Sequence, residues 1–171
     1  NSIDVLNGVA SGFTTIASLA LAISLFILQN YEIGITCLAL AFASLAFYKY
    51  HKFPSRIFPG DSGALALGAT YGVIAIVGHV EVIAAIAILP AIVNSFLFLS
   101  SVKKIVEHRE IKNPTTHTDD FKLKSTDDKT TPITLVRLII AKKPLSEKQI
   151  CNEIFKLTTL SGVLAIITAF M

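Results

Sequence analysis

Charge is what this chain has least of. Asp, Glu, Lys and Arg make up only 16% of its 171 residues, against about 25% in an ordinary soluble domain. Hydrophobic residues reach 53%, with a mean hydropathy of +0.65. That balance excludes a water-soluble globular domain and predicts a membrane protein. Cysteine is scarce too: Cys37 lies in an apolar run and Cys151 in a polar segment. A disulfide is therefore not expected, and no zinc-type spacing exists. The amino-terminal residues lack the charged, apolar and cleavage regions of a signal peptide. The chain opens on Asn1 rather than methionine, and is expected to be a fragment of something longer.

What is present is a series of apolar runs. Residues 9–29 and 33–48 are almost wholly apolar, and a spanning helix needs about 17–25 such residues. Residues 63–77 form a third span, short at about 22 Å, with Gly68 and Gly72 in a small-xxx-small arrangement suited to close helix contact. Residues 82–102 form a fourth, which Pro90 should kink, and 154–171 a fifth. The fold class read from this pattern is all-α: a polytopic transmembrane bundle of about five spans, with a polar loop at 103–150 before the last.

The turns near residues 30 and 79 hold no Lys or Arg, whereas Lys49, His51, Lys52 and Arg56 crowd the opposite side. Residues 103–148 add eleven Lys or Arg and seven Asp or Glu. By the positive-inside rule the basic side is cytoplasmic. An apolar patch at 133–141 (ITLVRLIIA) within the loop is expected to be a short helix or strand against the membrane face.

Three polar islands then share the cytoplasmic face, each next to a helix end: NSIDVLNG (1–8), FPGDSG (58–63) and EHRE (107–110). Ionisable groups at that depth are costly and usually functional. Each also has a plainer reading. Asp61 can simply cap a helix N-terminus. Asn1, Asp4 and Asn7, three apart, would share one face of a helical turn, as a cap or as ligands. His108 and Arg109 can be interfacial cations at a helix C-terminus. GDSG also matches a serine-protease signature. A rhomboid-like intramembrane protease would need a histidine base beside Ser62; His79 belongs to the opposite end of the same helix, which leaves His108. A non-catalytic transporter half is a third reading, supported only by Pro90 and the glycines.

The ordered set N-x-x-D-x-x-N-G, PSRIFPGDSG, GHVE, P-x-x-x-N, HR and Thr134-Leu135, with spans between, resembles the polyprenyl-phosphate N-acetylhexosamine-1-phosphate transferases. The likeness is to the archaeal and eukaryotic dolichyl-phosphate branch of that glycosyltransferase family 4 type, and runs end to end. It implies that the chain is a C-terminal half, the missing N-terminal half carrying a tandem-aspartate motif. The implied reaction transfers an N-acetylhexosamine 1-phosphate, GlcNAc foremost, from a UDP-sugar to a polyprenyl or dolichyl phosphate and releases UMP, beginning a lipid-linked glycan such as that for protein glycosylation. The implied cofactor is Mg²⁺, or Mn²⁺ in its place, held by Asp61 with Asp4. Asn1, Asn7, Gly8 and Phe58 would lie about the nucleotide, Phe58 stacking on uracil, and His108 and Arg109 would contact the diphosphate and sugar. The implied partners are UDP-N-acetylhexosamine, the lipid phosphate, the bilayer of a cell membrane or endoplasmic reticulum, and the missing half; a homodimer is left open, and nucleic acid is not a partner. Ala10 and Glu107 depart from the eukaryotic pattern, so base and phosphate recognition are expected to differ in detail. A single histidine before Arg109 argues against MurNAc-pentapeptide as the sugar. The piece alone is expected to be inactive.

Overall fold

A computed structural model describes residues 3–102, 113–118, 120–126, 128 and 131–171. Its helices are α1 (Val9–Ile27), α2 (Tyr31–His51), α3 (Gly60–Val77), α4 (Glu81–Ala87), α5 (Leu89–Val102), α6 (Leu135–Ile139) and α7 (Glu147–Thr168). Four of them, α1, α2, α3 and α7, are long and apolar enough to cross a membrane, and α4 with α5 makes a bent fifth segment. The expected all-α polytopic bundle is what is found. A small antiparallel hairpin, β1 (Thr115–His117) with β2 (Leu123–Ser125), pairs Thr116 with Lys124 inside the polar loop.

The helix α1 is the axis. It buries 67% of its apolar stretch inside the protein, whereas α2 and α3 bury 28% and 22%. The sequence accounts for this, because α1 is built of small residues that let neighbours approach. A Cβ on Gly12 would lie 2.4 Å from Phe155 of α7 and 3.2 Å from Tyr48 of α2, and one on Gly162 would lie 2.9 Å from Ala20. Hydroxyls in α1 turn back on their own helix: Thr15 donates to the Ser11 carbonyl at 2.8 Å and Ser24 to Ala20 at 3.0 Å. Such bonding satisfies the polar atom without a partner helix. Both cysteines are free and buried.

The two basic-free turns share one design. Gln29 and His79 adopt left-handed backbone, with φ of 61° and 54°. Asn30 and Val80 return their N–H groups to Leu25 and Ala75, at 2.9 and 3.0 Å. These are the six-to-one bonds of a helix stop that satisfies the last carbonyls. His79 is thus a turn residue, and Asn30 Nδ2 donates across to the Gly78 carbonyl at 3.5 Å.

Three expectations need correction. The third helix begins at Gly60 rather than residue 63 and runs 18 residues, about 27 Å, close to the roughly 30 Å of a hydrocarbon core. The fourth span is not one kinked helix: it breaks by 75° at Ile88, between α4 and α5. Pro90 stands at the second position of α5, where its missing N–H costs little, and its ring bars a continuous helix through the preceding turn. The last helix starts at Glu147, seven residues before the apolar run. A capping box marks its start, in which Ser146 accepts from Gln149 N–H and the Gln149 side chain accepts from Ser146 N–H.

The patch at 133–141 is also only partly as expected. It does form a short helix, α6, but Leu135, Val136 and Ile140 are buried with Ile3, Val9, Phe13, Ile150 and Ile154 in a second protein core; Ile133 and Leu138 remain exposed. Asn94 of α5, 6% exposed, accepts the Leu135 N–H at 2.8 Å, and Thr134 accepts Arg137 N–H at 3.2 Å. The Arg137 guanidinium donates to the carbonyls of Thr126, Asp128, Thr131 and Pro132, so it organises the strand-to-helix connection.

Close packing at Gly12 gives a direct check. Gly12→Ala should cost about 1–3 kcal/mol through overpacking against Phe155 and lower the thermal midpoint in detergent. Gly68→Ala, with open space about its Cβ, should leave the midpoint unchanged or raise it slightly, since Ala is the better helix former.

Candidate active site

The ends of α1, α2, α3 and α7 are brought together at the basic end of the bundle. Residues 3–8 run into α1 as a turn segment rather than a helix, so the shared helical face expected for Asp4 and Asn7 is not formed. The segment is held by its backbone. Asn7 N–H donates to Glu147 Oε1 at 2.6 Å, and the Cys151 thiol donates to the Asn7 carbonyl at 3.5 Å. Gly8 has φ 88°, and a Cβ there would lie 3.0 Å from Tyr48 and 3.1 Å from the Lys52 backbone. Both the conformation and the closeness demand glycine. Asn1, His108 and Arg109 lie outside the described residues.

Asp4 is where the segment turns inward. Its side chain is 15% exposed, with Oδ1 3.9 Å from His51 Nε2. Burial holds this carboxyl above the ordinary carboxylate range; the opposing influences include His51 and the Ala10 backbone N–H, while the Asp61 charge pushes it further up. Asp4 lies ahead of α1 and Asp61 on α3, and His51 stands between their segments, facing Asp4 and the Phe58 ring that precedes α3. Asp61 is exposed in the first turn of α3, whose N-cap is Pro59 and carries no side-chain cap bond. Asp61 thus makes no N-cap bond, while its place in the first turn keeps the favourable helix-dipole part of the plain reading.

His51 ends α2 and is 1% exposed. Its Nδ1 is 3.0 Å from Ser11 Oγ, and its ring meets Phe58 edge-on at 6.1 Å and Phe47 at 5.4 Å. Phe58 is 67% exposed, so its ring is braced on one side and open on the other. Lys148 of α7 stands 5.3 Å over the Phe53 ring, which ties the 52–59 connection to α7. The structure thus gathers Asp4, Asp61, Gly8 and Phe58 with Asn7 adjacent.

Sequence reasoning passed over His51, Ser11 and Glu147. A signal was available: Ser11 and Ser18 in α1, and Ser44 and His51 in α2, recur at seven-residue intervals inside apolar helices. The Ser146 to Gln149 spacing likewise marked where α7 begins.

Two hydrolytic arrangements can be set against this geometry. Ser62 is exposed and hydrogen-bonded to no histidine among the described residues; His79 lies at the far end of α3, about 25 Å away along the axis, and His108, the base that this reading needs, lies outside the described residues. Ser11, His51 and Asp4 resemble a hydrolytic triad, yet Ser11 is fully buried, where no scissile bond can reach it. Among the described residues no three His, Cys, Asp or Glu side chains form a cage able to hold a metal. A magnesium ion that keeps waters and takes substrate phosphate oxygens needs only one or two carboxylates. Asp4 and Asp61, both at this end of the bundle, are the two carboxylates that could provide such a donor set.

Helices of membrane length, with carboxylates and an open aromatic where helix ends meet, define an integral membrane protein with a polar site at one end. Residues 1–79 match the sequence model of glycosyl transferase family 4. A putative glycosyltransferase of Methanocaldococcus jannaschii is 29% identical over all of this chain and 55% of its own length. Phospho-N-acetylmuramoyl-pentapeptide-transferases of Clostridium beijerinckii and Staphylococcus carnosus are 42% and 38% identical, over 47% and 48% of this chain and 25% and 26% of theirs. The chain is thus similar, over residues 1–79, to glycosyl transferase family 4, the family that the motifs resemble. It spans about half the length of the archaeal relative and about a quarter of the bacterial ones.

The direction of the Asp4 shift fixes a sign. A carboxyl whose folded value is raised destabilises the fold while ionised, and that penalty disappears as pH falls through the folded value. In divalent-free buffer, Asp4→Asn should raise the thermal midpoint at pH 7. The gain should vanish near pH 3, where both forms of the site are neutral.

Proposed function

We propose that this chain is the C-terminal half of a divalent-cation-dependent transferase that moves N-acetylhexosamine 1-phosphate, GlcNAc foremost, from a UDP-sugar to a polyprenyl or dolichyl phosphate at the cytoplasmic face. The observation that carries the reading is that His51 faces Asp4 at 3.9 Å and the ring of Phe58, three residues before Asp61, at 6.1 Å, so the two carboxylate-bearing segments meet at the basic end of the bundle. The similarity to glycosyl transferase family 4 supports the chemistry. The full-length archaeal relative supports the expectation of a longer protein with a further half.

In the proposed reaction an oxygen of the lipid phosphate attacks the phosphorus that bears the sugar. A new P–O bond forms, the bridging bond of the pyrophosphate breaks, and UMP leaves with the bond's electrons. Mg²⁺, with Mn²⁺ as a substitute, would be held by Asp4 and Asp61 and would supply neutralisation of charge on the diphosphate. Phe58 offers its open face to uracil, braced from behind by His51. Gly8, packed under Tyr48 and Lys52, sets the course of the segment that would border the nucleotide, with Asn7 next to it. Asn1, His108 and Arg109 are proposed to complete the grip on the nucleotide, diphosphate and sugar. The location answers a physical demand: one substrate is dissolved and the other is anchored in lipid, so the carboxylates belong at the boundary.

In the intact protein in detergent or nanodiscs, Asp61→Asn and Asp4→Asn should each lower UMP release from UDP-GlcNAc and dolichyl phosphate by about a hundredfold or more. Chelator should do the same, while Ser62→Ala stays within a few fold of wild type. Near-wild-type turnover of Asp61→Asn would remove the metal role, and loss of function in Ser62→Ala alone would favour proteolysis.

A further inference from the structure

Apart from bracing Phe58, His51 takes no part in the reaction just described, yet both of its ring nitrogens face named partners. It is the charged-type side chain with almost no exposure at the mouth of the bundle, and each of its ring nitrogens points at a defined partner. Nδ1 faces Ser11 Oγ at 3.0 Å and Nε2 faces Asp4 Oδ1 at 3.9 Å. Phe47 and Phe58 close against its ring.

The hydrogen bonding of Ser11 decides which nitrogen carries the proton. The hydroxyl has two acceptors within reach, His51 Nδ1 at 3.0 Å and the Gly8 carbonyl at 3.4 Å. Donation to Gly8 would oblige a neutral ring to carry its proton on Nδ1 and turn the Nε2 lone pair on a carboxylate. Donation to Nδ1, the shorter contact, leaves the proton on Nε2, aimed at Asp4. The second arrangement is attractive at both ends, and a bond made by one ring nitrogen commonly sets the role of the other. The 3.9 Å gap is longer than a hydrogen bond. Site contacts of this kind are often long before substrate binds and shorten in the complex. Since His51 is buried, it cannot touch a dissolved nucleotide; it acts through the side chains it meets, and Asp4 is the ionisable one that its Nε2 faces.

We propose that His51 is a positioning residue for Asp4: with its tautomer fixed by Ser11, it holds the carboxylate in the orientation that receives the divalent cation. The proposal rests on the reading of Asp4 as a cation ligand. Outer partners of metal-binding carboxylates typically change affinity by about 10–100-fold when removed, and that magnitude makes the idea measurable.

The probe is Mn²⁺ alone, titrated into the intact protein and followed by electron paramagnetic resonance, with UMP release measured in parallel. His51→Leu should weaken Mn²⁺ binding by about 10–100-fold and lower kcat while KM for the lipid phosphate stays near wild type. His51→Gln, whose amide can donate from near the Nε2 position, should restore most of both. Ser11→Ala, which keeps the ring but frees its tautomer, should fall between and serves as the test if His51→Leu does not fold. Wild-type Mn²⁺ affinity in His51→Leu, or in Ser11→Ala where His51→Leu fails to fold, would overturn the positioning role. So would a His51→Gln protein as impaired as His51→Leu. Asp4→Asn separates the two levels: if it too binds Mn²⁺ normally, the cation reading of Asp4 fails, whereas loss in Asp4→Asn with none in His51→Leu defeats only the present inference.

Discussion

The antiparallel contact of α1 with α2 is the constraint on which the rest depends. It fixes where α1 begins relative to where α2 ends, and so delivers His51 beside Ser11 and Asp4. Glycine makes the contact that close: Gly8 and Gly12 lie under Tyr48, and Gly34 lies under Phe26. The same register carries Ser18 and Ser44 one heptad deeper, each fully or almost fully buried and without a hydrogen-bond partner among the described residues. An unsatisfied buried hydroxyl costs about 1–3 kcal/mol. The seam therefore owes little of its tightness to polar side-chain pairing: the Cys37 thiol donates to the Ser18 carbonyl at 3.2 Å within it, and the pairing of Ser11 with His51 lies at the mouth.

From that seam the mouth is assembled by short-range physics at each helix end. The box at Ser146 starts α7 early enough for Glu147 to reach Asn7. Asn94 and Thr134 start α6, whose apolar side then covers Ile3 and Val9. Two of the sequence fragments that carried the family resemblance, Asn94 and Thr134-Leu135, thus meet in space as one helix cap. Their role in this structure is architectural: they set the loop over the segment that bears Asp4.

The amount of this that could be read in the sequence follows the range of the forces involved. Apolar runs are long and additive, so the number and approximate extent of the spans were legible, and the basic-free turns marked their shared end. Boundaries were less so, because polar first turns such as Gly60–Ser62 and Glu147–Glu153 look like loop until their helices are seen. The break at Ile88 was displaced from Pro90 for a local reason, since proline belongs in a first turn rather than at the bend itself. For the site, FPGDSG and NSIDVLNG pointed to Asp61, Asp4, Gly8 and Phe58 by family likeness. His51 was counted with Lys49 and Lys52 as one more cation, because nothing in linear order tells a buried imidazole from an exposed one. What distinguishes it is the level of Ser11, forty residues away.

The main-chain anchoring of Asn7 has a consequence for how such a site can change. Its N–H and carbonyl are both engaged by α7, through Glu147 and Cys151, so the course of the segment is set by groups that every amino acid except proline possesses. The identity of the side chain at 7 is left to whatever ligand it must greet. Scaffold and vocabulary are separate there, and a lineage can rewrite the word without rebuilding the page.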